Sequence, residues 1–384
     1  MRILYLFLLL SIATTASSQR LSPLDTEVQR AVKAWDENKL SVARTHLQRA
    51  VELSPKDAEL RYNLGVVSLA INDVNSAIDA FQAALRLNTE HVDSLYNLGR
   101  LYVNIKEYER GLLLLERASE LSPNDPGPQL QVVTALVLQG RTEDAWRRAR
   151  SISSKRPDVL SMLAFLAMRL EFSKEALEYA KLALQSEPSV QRHRLVLAQA
   201  HILADQFREA LDALEIAKRN SEEPLANIPY LRGLVAFLEL RFVDAFKEYR
   251  TAVELAPTVF GKQQESVNVL AFPLHAERVF MQAINTSGPD QIPSAFSRLN
   301  IGNGCNHADT VAFLFRANPK VSQCYRGAKL IDIDIIVRRE RVIRTRIPDT
   351  TRATRCIDGV LRKIQMPSTV ACSFRVRVGK SLVQ

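Results

Sequence analysis

Arg61-Tyr-Asn-Leu-Gly65 and Leu95-Tyr-Asn-Leu-Gly99 decide how this chain is read. The two stretches lie 34 residues apart, and each is followed at matching offsets by further small or apolar residues. After Gly65 come Ala77, Phe81 and Ala84; after Gly99 come Gly111, Leu115 and Ala118, with Pro123 closing the unit. A fixed period of this length marks a stack of supersecondary units rather than one closed core, because no single unit can bury its own apolar face.

Working outward from these two, alignment on the small residues gives seven copies between about Leu24 and Pro257. The first carries Ala31, Ala43, Ala50 and Pro55; the fourth Val133, Ala145, Ile152 and Pro157; the fifth Ala164, Ala176, Ala183 and Pro188. The sixth carries Ala198, Ala210 and Ala217, and the seventh Gly233, Ala245, Ala252 and Pro257. Where two helices cross closely, Gly or Ala lets the backbones approach, and larger residues at neighbouring i, i+3 and i+4 positions fill the interface with the next unit. Proline suits the first turn of the following helix and cannot continue the preceding one, so Leu53-Ser-Pro-Lys-Asp57 and Leu121-Ser-Pro-Asn-Asp125 read as turns between units.

Over about 230 residues the array resembles the tetratricopeptide repeat family. The resemblance implies a mainly α fold, a right-handed superhelix whose first helices line a concave groove for peptides or protein segments. At the groove positions of the best-matched copies stand Tyr62, Asn63, Tyr96, Asn97, Arg100 and Asn104. Asparagine and arginine in register can clamp a main chain or a carboxylate, with tyrosine stacking beside it. Asn63 and Asn97 also belong to the repeat's own consensus, which offers a structural role for both. Where carboxylate-binding members of the family continue the clamp with basic residues, the fourth copy has Gly127 and Gln131, which argues against a C-terminal carboxylate as ligand.

The N-terminus reads as a secretory signal peptide over residues 1–18: Met1-Arg2, an apolar run from Ile3 to Ala13, and small residues at Ala16-Ser17-Ser18. An exported chain, periplasmic or secreted, can form disulfides. Its four cysteines, Cys305, Cys324, Cys356 and Cys372, all lie in the last 80 residues and allow three connectivities. Their spacing is unlike that of close-paired zinc or redox sites, so no metal is expected. Charge is segregated too. From Lys320 onward there are fifteen Lys/Arg against five Asp/Glu, leaving 36 against 37 for residues 1–319.

Residues 258–304 read as a linker, with a helix over Pro273 to Asn285 and a glycosylation sequon at Asn285-Thr-Ser. Residues 305–384 read as a small α+β domain. A helical run from Ala308 to about Arg326, broken near Asn318-Pro319, is followed by two alternating strands, a helix and a last strand. The first strand points Ile331, Ile333, Ile335 and Val337 inward and Asp332 and Asp334 outward; the second points Ile343, Thr345 and Ile347 inward. The helix carries Cys356, Ile357, Val360, Leu361 and Ile364 on its apolar stripe, and the last strand turns Val370, Cys372, Phe374, Val376 and Val378 inward. Arg344, Arg346, Arg375 and Arg377 form a basic surface that either meets an anionic partner or pairs with Asp332 and Asp334 across the sheet.

Cys324-Tyr-Arg-Gly-Ala328, the hairpin, and Arg355-Cys-Ile-Asp-Gly-Val-Leu-Arg-Lys-Ile-Gln-Met-Pro367 resemble the TonB C-terminal-like domains of myxobacterial-type envelope and gliding proteins. The resemblance implies a bond between Cys324 and Cys356, leaving Cys305 with Cys372 as the second pair.

No catalytic pattern stands out. There is no Gly-rich phosphate loop, no His-Glu-x-x-His and no Gly-x-Ser-x-Gly, and His46, His91, His193, His201, His275 and His307 show no metal-ligand spacing. The expectation is a non-enzymatic, cofactor-free scaffold of the bacterial cell envelope. Its repeats bind a protein segment and its C-terminal domain docks a second component. The alternative is an envelope-polymer binder, for peptidoglycan or lipopolysaccharide, acting through the basic domain. Nucleic acid is disfavoured by export and by few aromatics among the arginines.

Overall fold

The computed structural model describes residues 21–260, 274–277, 279–281, 296–302, 305–324, 331–338, 341–347, 351–366 and 372–378. Residues 1–18, read as a signal peptide, the Asn285 sequon and Val370 lie outside them. The described residues divide into two compact units after Ile152.

The fold is mainly α, with a small C-terminal region of antiparallel strands. The first unit holds the hairpins α1 (Pro23–Asp36) with α2 (Leu40–Leu53), α3 (Ala58–Ala70) with α4 (Val74–Leu87), α5 (Val92–Asn104) with α6 (Tyr108–Leu121), and α7 (Pro126–Leu138) with α8 (Thr142–Arg150). The second unit begins with α9 (Pro157–Arg169) and α10 (Ser173–Ser186), α11 (Gln191–Leu203) and α12 (Phe207–Arg219), and α13 (Asn227–Leu238) and α14 (Phe242–Leu255). A single turn, α15 (Pro257–Phe260), follows.

Local chemistry sets the helix ends. Ser22 and Asp25 form a capping box on α1; the Asp57 carboxylate accepts from the amides of Glu59 and Leu60; Pro23, Pro126 and Pro157 open their helices. Each hairpin turns through one residue at positive φ: Asn38, Asn72, Lys106, Gly140, Glu171, Asp205 and Leu240. This left-handed residue lets the next amide reach back to the helix end, as Lys39 N does to Ala34 O (2.7 Å) and Arg241 N to Ala236 O (2.8 Å). The terminal carbonyls of the first helix are thus satisfied inside the turn.

Side-chain size sets the closeness of each pair. A Cβ added to Gly99 would lie 2.7 Å from Leu115 Cγ and 3.1 Å from Gly111 O, and one on Gly65 would meet the Phe81 ring at 2.5 Å. The matching positions of the second helices, Ala77, Ala145, Ala176 and Ala210, are fully buried.

Beyond the repeats, strand β1 (Phe296–Ile301), helix α16 (His307–Cys324), strands β2 (Ile331–Arg338) and β3 (Arg341–Arg346), helix α17 (Arg352–Leu361) and strand β4 (Cys372–Val378) build one sheet of order β1-β4-β2-β3, antiparallel throughout. Cys305 bonds Cys372 and Cys324 bonds Cys356. Bridges closing loops of 67 and 32 residues remove about 4 kcal/mol each of unfolded-chain entropy in the loop-closure account.

Two expectations are corrected. The stretch 258–304 is not simply a connection, since β1 lies within it and pairs along β4 from Phe296↔Val378 to Ile301↔Phe374. Helix α16 does not break at Pro319; it continues to Cys324 because it is buried on nearly every side, from Val311 to Phe315 and at Ala317, Asn318 and Val321. Toward the sheet, Phe313 meets Phe374 edge-on at 5.9 Å between centroids. Toward the repeats, Phe315 meets Phe237 at 5.6 Å, Phe242 at 5.0 Å and Phe246 at 6.1 Å. The C-terminal region therefore covers the apolar end of the array, which a repeat stack requires of its terminal element. Phe315→Ala is expected to destabilise the second unit by about 3–5 kcal/mol, read from the denaturant midpoint of the full chain. A change below about 1 kcal/mol would mean that the two parts fold independently.

Candidate functional site

The six groove candidates divide into three groups. Tyr62, on α3, and Asn97, on α5, come together: Asn97 Nδ2 donates to the Tyr62 hydroxyl at 3.5 Å and to Asp93 O at 2.9 Å. The Tyr62 ring lies 5.8 Å from Phe81 and 5.2 Å from His91, and burial, followed by the charges of Asp93 and Glu59, pushes its hydroxyl far above the ordinary tyrosine range. This pair is structural as much as exposed. Tyr96 and Arg100 form a second pair within α5, the exposed guanidinium standing 5.3 Å from the ring centroid. Asn104 is exposed at the last turn of α5, and Asn63 is half-buried on α3.

His91, which no sequence pattern singles out, joins this region. Its Nδ1 accepts from Ser94 N at 3.2 Å, capping α5, so its Nε2 carries the proton donated to Glu59 at 3.0 Å. Ser54, Lys56, Asp57, Asn88, Glu59 and His91 line a shallow depression beside it.

The second unit shows what the same register positions do when occupied. Tyr230 stands three residues before Gly233, as Tyr62 and Tyr96 stand before Gly65 and Gly99. Gln199 follows Ala198 as Arg100 follows Gly99. Both reach the helical residues 275–277 of the chain itself. Gln199 Nε2 donates to Glu277 Oε1 at 2.9 Å, and the Tyr230 hydroxyl donates to Glu277 O at 3.3 Å. Leu274 N donates to the other carboxylate oxygen at 2.9 Å, so the fully buried Glu277 has donors on both oxygens. Phe280 sits 5.8 Å from the Tyr230 ring and 5.2 Å from that of Phe237. These contacts join residues 47 and 78 positions apart, which periodicity does not reveal.

The basic surface is also divided. Arg375 grips Asp334 through Nε (2.5 Å) and Nη2 (3.1 Å), and Arg377 grips Asp332 through the same atoms at 2.7 and 2.9 Å. The bidentate Arg375 holds the Asp334 carboxyl below its usual range. Arg344 and Arg346, on β3, are exposed. His193 and His201 are buried; His193 faces Ser161 Oγ and Glu187, and His201 faces Gln206. Among the described residues no group of three or more His, Cys, Asp or Glu is placed to hold a metal ion, and no helix is long and apolar enough to cross a membrane.

Residues 28–87 and 69–129 each match a tetratricopeptide repeat family model. Over those residues the hairpins are tetratricopeptide repeats. Such repeats serve as scaffolds for protein–protein interaction. DnaJ homolog subfamily C member 3 of Gallus gallus is 23% identical over 219 residues, covering 51% of this chain and 44% of that protein. Protein O-mannosyl-transferase TMTC1 of Homo sapiens, by name a transferase, is 24% identical over 202 residues, covering 51% of this chain and 23% of its own length. The chain thus spans less than half of either relative. A tetratricopeptide repeat protein from Parabacteroides merdae shares the fold, with a TM-score of 0.52 at 18% identity, covering 66% of this chain and 98% of its own.

The hydroxyls of Tyr62, Tyr230 and Tyr249 are all raised, mainly by burial. A raised folded value stabilises the protein fully below the ordinary tyrosine range near pH 10 and is lost as pH rises beyond it. Spectrophotometric titration is expected to show these tyrosines lagging the exposed ones and ionising together with alkaline unfolding. Tyr62→Phe, Tyr230→Phe and Tyr249→Phe should each remove one lagging group.

Proposed function

We propose that this protein is a non-catalytic, exported scaffold of the cell envelope whose tetratricopeptide repeats hold a protein segment against their first helices. One observation carries the reading. In the second unit the register positions of Arg100 and of Tyr62 and Tyr96 already grip a polypeptide segment, through Gln199 and Tyr230 on Glu277. The same positions in the first unit present Tyr96 and the exposed Arg100, which makes no ion pair among the described residues. The preferred segment is one that offers a side-chain carboxylate, as Glu277 does to Gln199, to Arg100 and a backbone carbonyl to a tyrosine hydroxyl.

Export rests on the leader-like residues 1–18 and suits two disulfides. The TonB C-terminal-like reading of the last domain is supported by the Cys324–Cys356 bond between its two helices. Within this proposal the domain has two tasks: it caps the repeats through Phe315 and offers its open sheet face to a second envelope component. The reading as a binder of peptidoglycan or lipopolysaccharide draws on that same face, where Arg344 and Arg346 stay exposed while Arg375 and Arg377 are neutralised.

A photo-crosslinking residue at Tyr96 should capture a protein in the native compartment, and the same residue at the exposed Leu113, on the second helix of that hairpin, should not. Arg100→Ala should lower the affinity of the captured protein by about tenfold, the loss of one charge-assisted hydrogen bond. Equal capture at both positions, with affinity indifferent to Arg100→Ala, would sink the groove reading.

A further inference from the structure

The β2–β3 hairpin carries a charge arrangement that sequence alternation does not disclose. On β2, Asp332, Asp334, Ile336 and Arg338 share the face opposite the buried Ile333, Ile335 and Val337. In register across the ladder, Arg346 stands opposite Asp334, Arg344 opposite Ile336 and Arg341 opposite Arg338. An irregularity at Ile336/Val337, where Val342 pairs with Val337, leaves Ile343 as the extra residue and returns Arg341 and Arg344 to one face. The result is four exposed arginines, Arg338, Arg341, Arg344 and Arg346, on a single face of one hairpin.

None of the four donates a side-chain hydrogen bond or closes an ion pair among the described residues. Of the described acids on this face, Asp334 is held by the bidentate Arg375, with the charge of Arg346 also acting on it, and Asp332 is held by Arg377. Arg338 and Arg341 face each other directly, and like charges directly opposite destabilise a strand pair. An anion placed against this face would relieve that like-charge contact. Because the arginines occupy two neighbouring strands rather than a cleft, they suit a plane of negative charges better than one small ligand. Among the described residues of this face there is no aromatic ring on which a sugar or base could stack.

We propose that the open face of the β2–β3 hairpin docks on an anionic phospholipid surface, with Arg338, Arg341, Arg344 and Arg346 against the headgroup phosphates. The surface is independent of the groove on the repeats. It excludes Arg375 and Arg377, whose guanidinium groups hold β4 to β2. Each basic residue near such a surface contributes about a fivefold gain in partitioning, additive to first order and weakened by salt.

The test uses the full mature chain and sedimentation with vesicles of phosphatidylcholine alone or mixed with phosphatidylglycerol, at low and high salt. Binding to the mixed vesicles only, falling as salt rises, is expected. R338Q, R341Q, R344Q and R346Q should each lower partitioning about fivefold and the quadruple variant should abolish it, while K181Q on α10 should leave it unchanged. R338Q should also leave the thermal midpoint unchanged or raise it, because it relieves a like-charge contact; a merely structural arginine would lower it. Equal binding to neutral vesicles overturns the proposal, as does full binding by the quadruple variant. Capture by soluble polyglutamate or an anionic polysaccharide with no vesicle binding overturns it in favour of a protein or polymer partner.

Discussion

Everything in the repeat array depends on how closely two helix backbones approach within one hairpin. At Gly65 and Gly99 the space for a Cβ is already filled by Phe81 and Leu115. That approach makes Phe81 and Leu115 fully buried and gives each hairpin an apolar flank that only a neighbour can cover. The turn residue at positive φ belongs to the same constraint. It ends the first helix within a few residues and aims the second back along it, even where the residue is Lys106, Glu171 or Leu240 and lacks glycine's freedom. Small residue, tight turn and stacking neighbour are one requirement met in three places.

A stack built this way has an unsatisfied last face, and here the C-terminal region covers it. Phe237 and Phe242, near the turn of the last hairpin, pack against Phe315. Tyr230 is covered by Phe260, stacked on it at 4.8 Å, and by Phe280, both from the stretch that leads to β1. The sequence suggests a bipartite adaptor, repeats joined to an autonomous tail by a linker. Packing replaces that picture in the second unit: α16 is a shared core helix, with the sheet on one side and the last repeat on the other. Removing the tail would remove a wall of the core, so loss of binding in a truncation would not by itself assign a binding role to the tail.

What could be read in advance follows the range of the interactions. The repeats were legible because period, capping and small-residue spacing are local properties written several times over. The alternating strands β2 and β4 were legible for the same reason, since Ile333, Ile335 and Val337 and then Phe374, Val376 and Val378 mark a buried face within a few residues. Strand β1 was not, because Phe296-Ser-Arg-Leu-Asn-Ile301 has no clean alternation and its register slips between Phe296 and Arg298. The proline at position 319 signals a break that burial on both flanks overrides. Among the groove candidates, residue type and register were legible. Which of them are taken up by the fold was not, since the Tyr62 contact with Asn97 and the Gln199 contact with Glu277 depend on helices meeting across the stack.

The distribution of charge in the sheet follows from strand order. Both acids, Asp332 and Asp334, lie on β2, a central strand with β4 on one side and β3 on the other. The two arginines of β4 lie directly opposite them, Arg377 at Asp332 and Arg375 at Asp334, and form bidentate pairs. Among the described strands β3 is an edge paired with β2 alone, and beyond Asp334 β2 presents Ile336 and Arg338 rather than an acid. Four arginines that alternation alone makes equivalent, Arg344, Arg346, Arg375 and Arg377, therefore become two kinds. Those on β4 close bidentate ion pairs within the sheet, and those on β3 join Arg338 and Arg341 in a field that only the charge of Asp334, already held by Arg375, offsets among the described residues. A strand order with β3 between β2 and β4 would have reversed these roles without changing a residue, which is why the partition belongs to topology and not to composition.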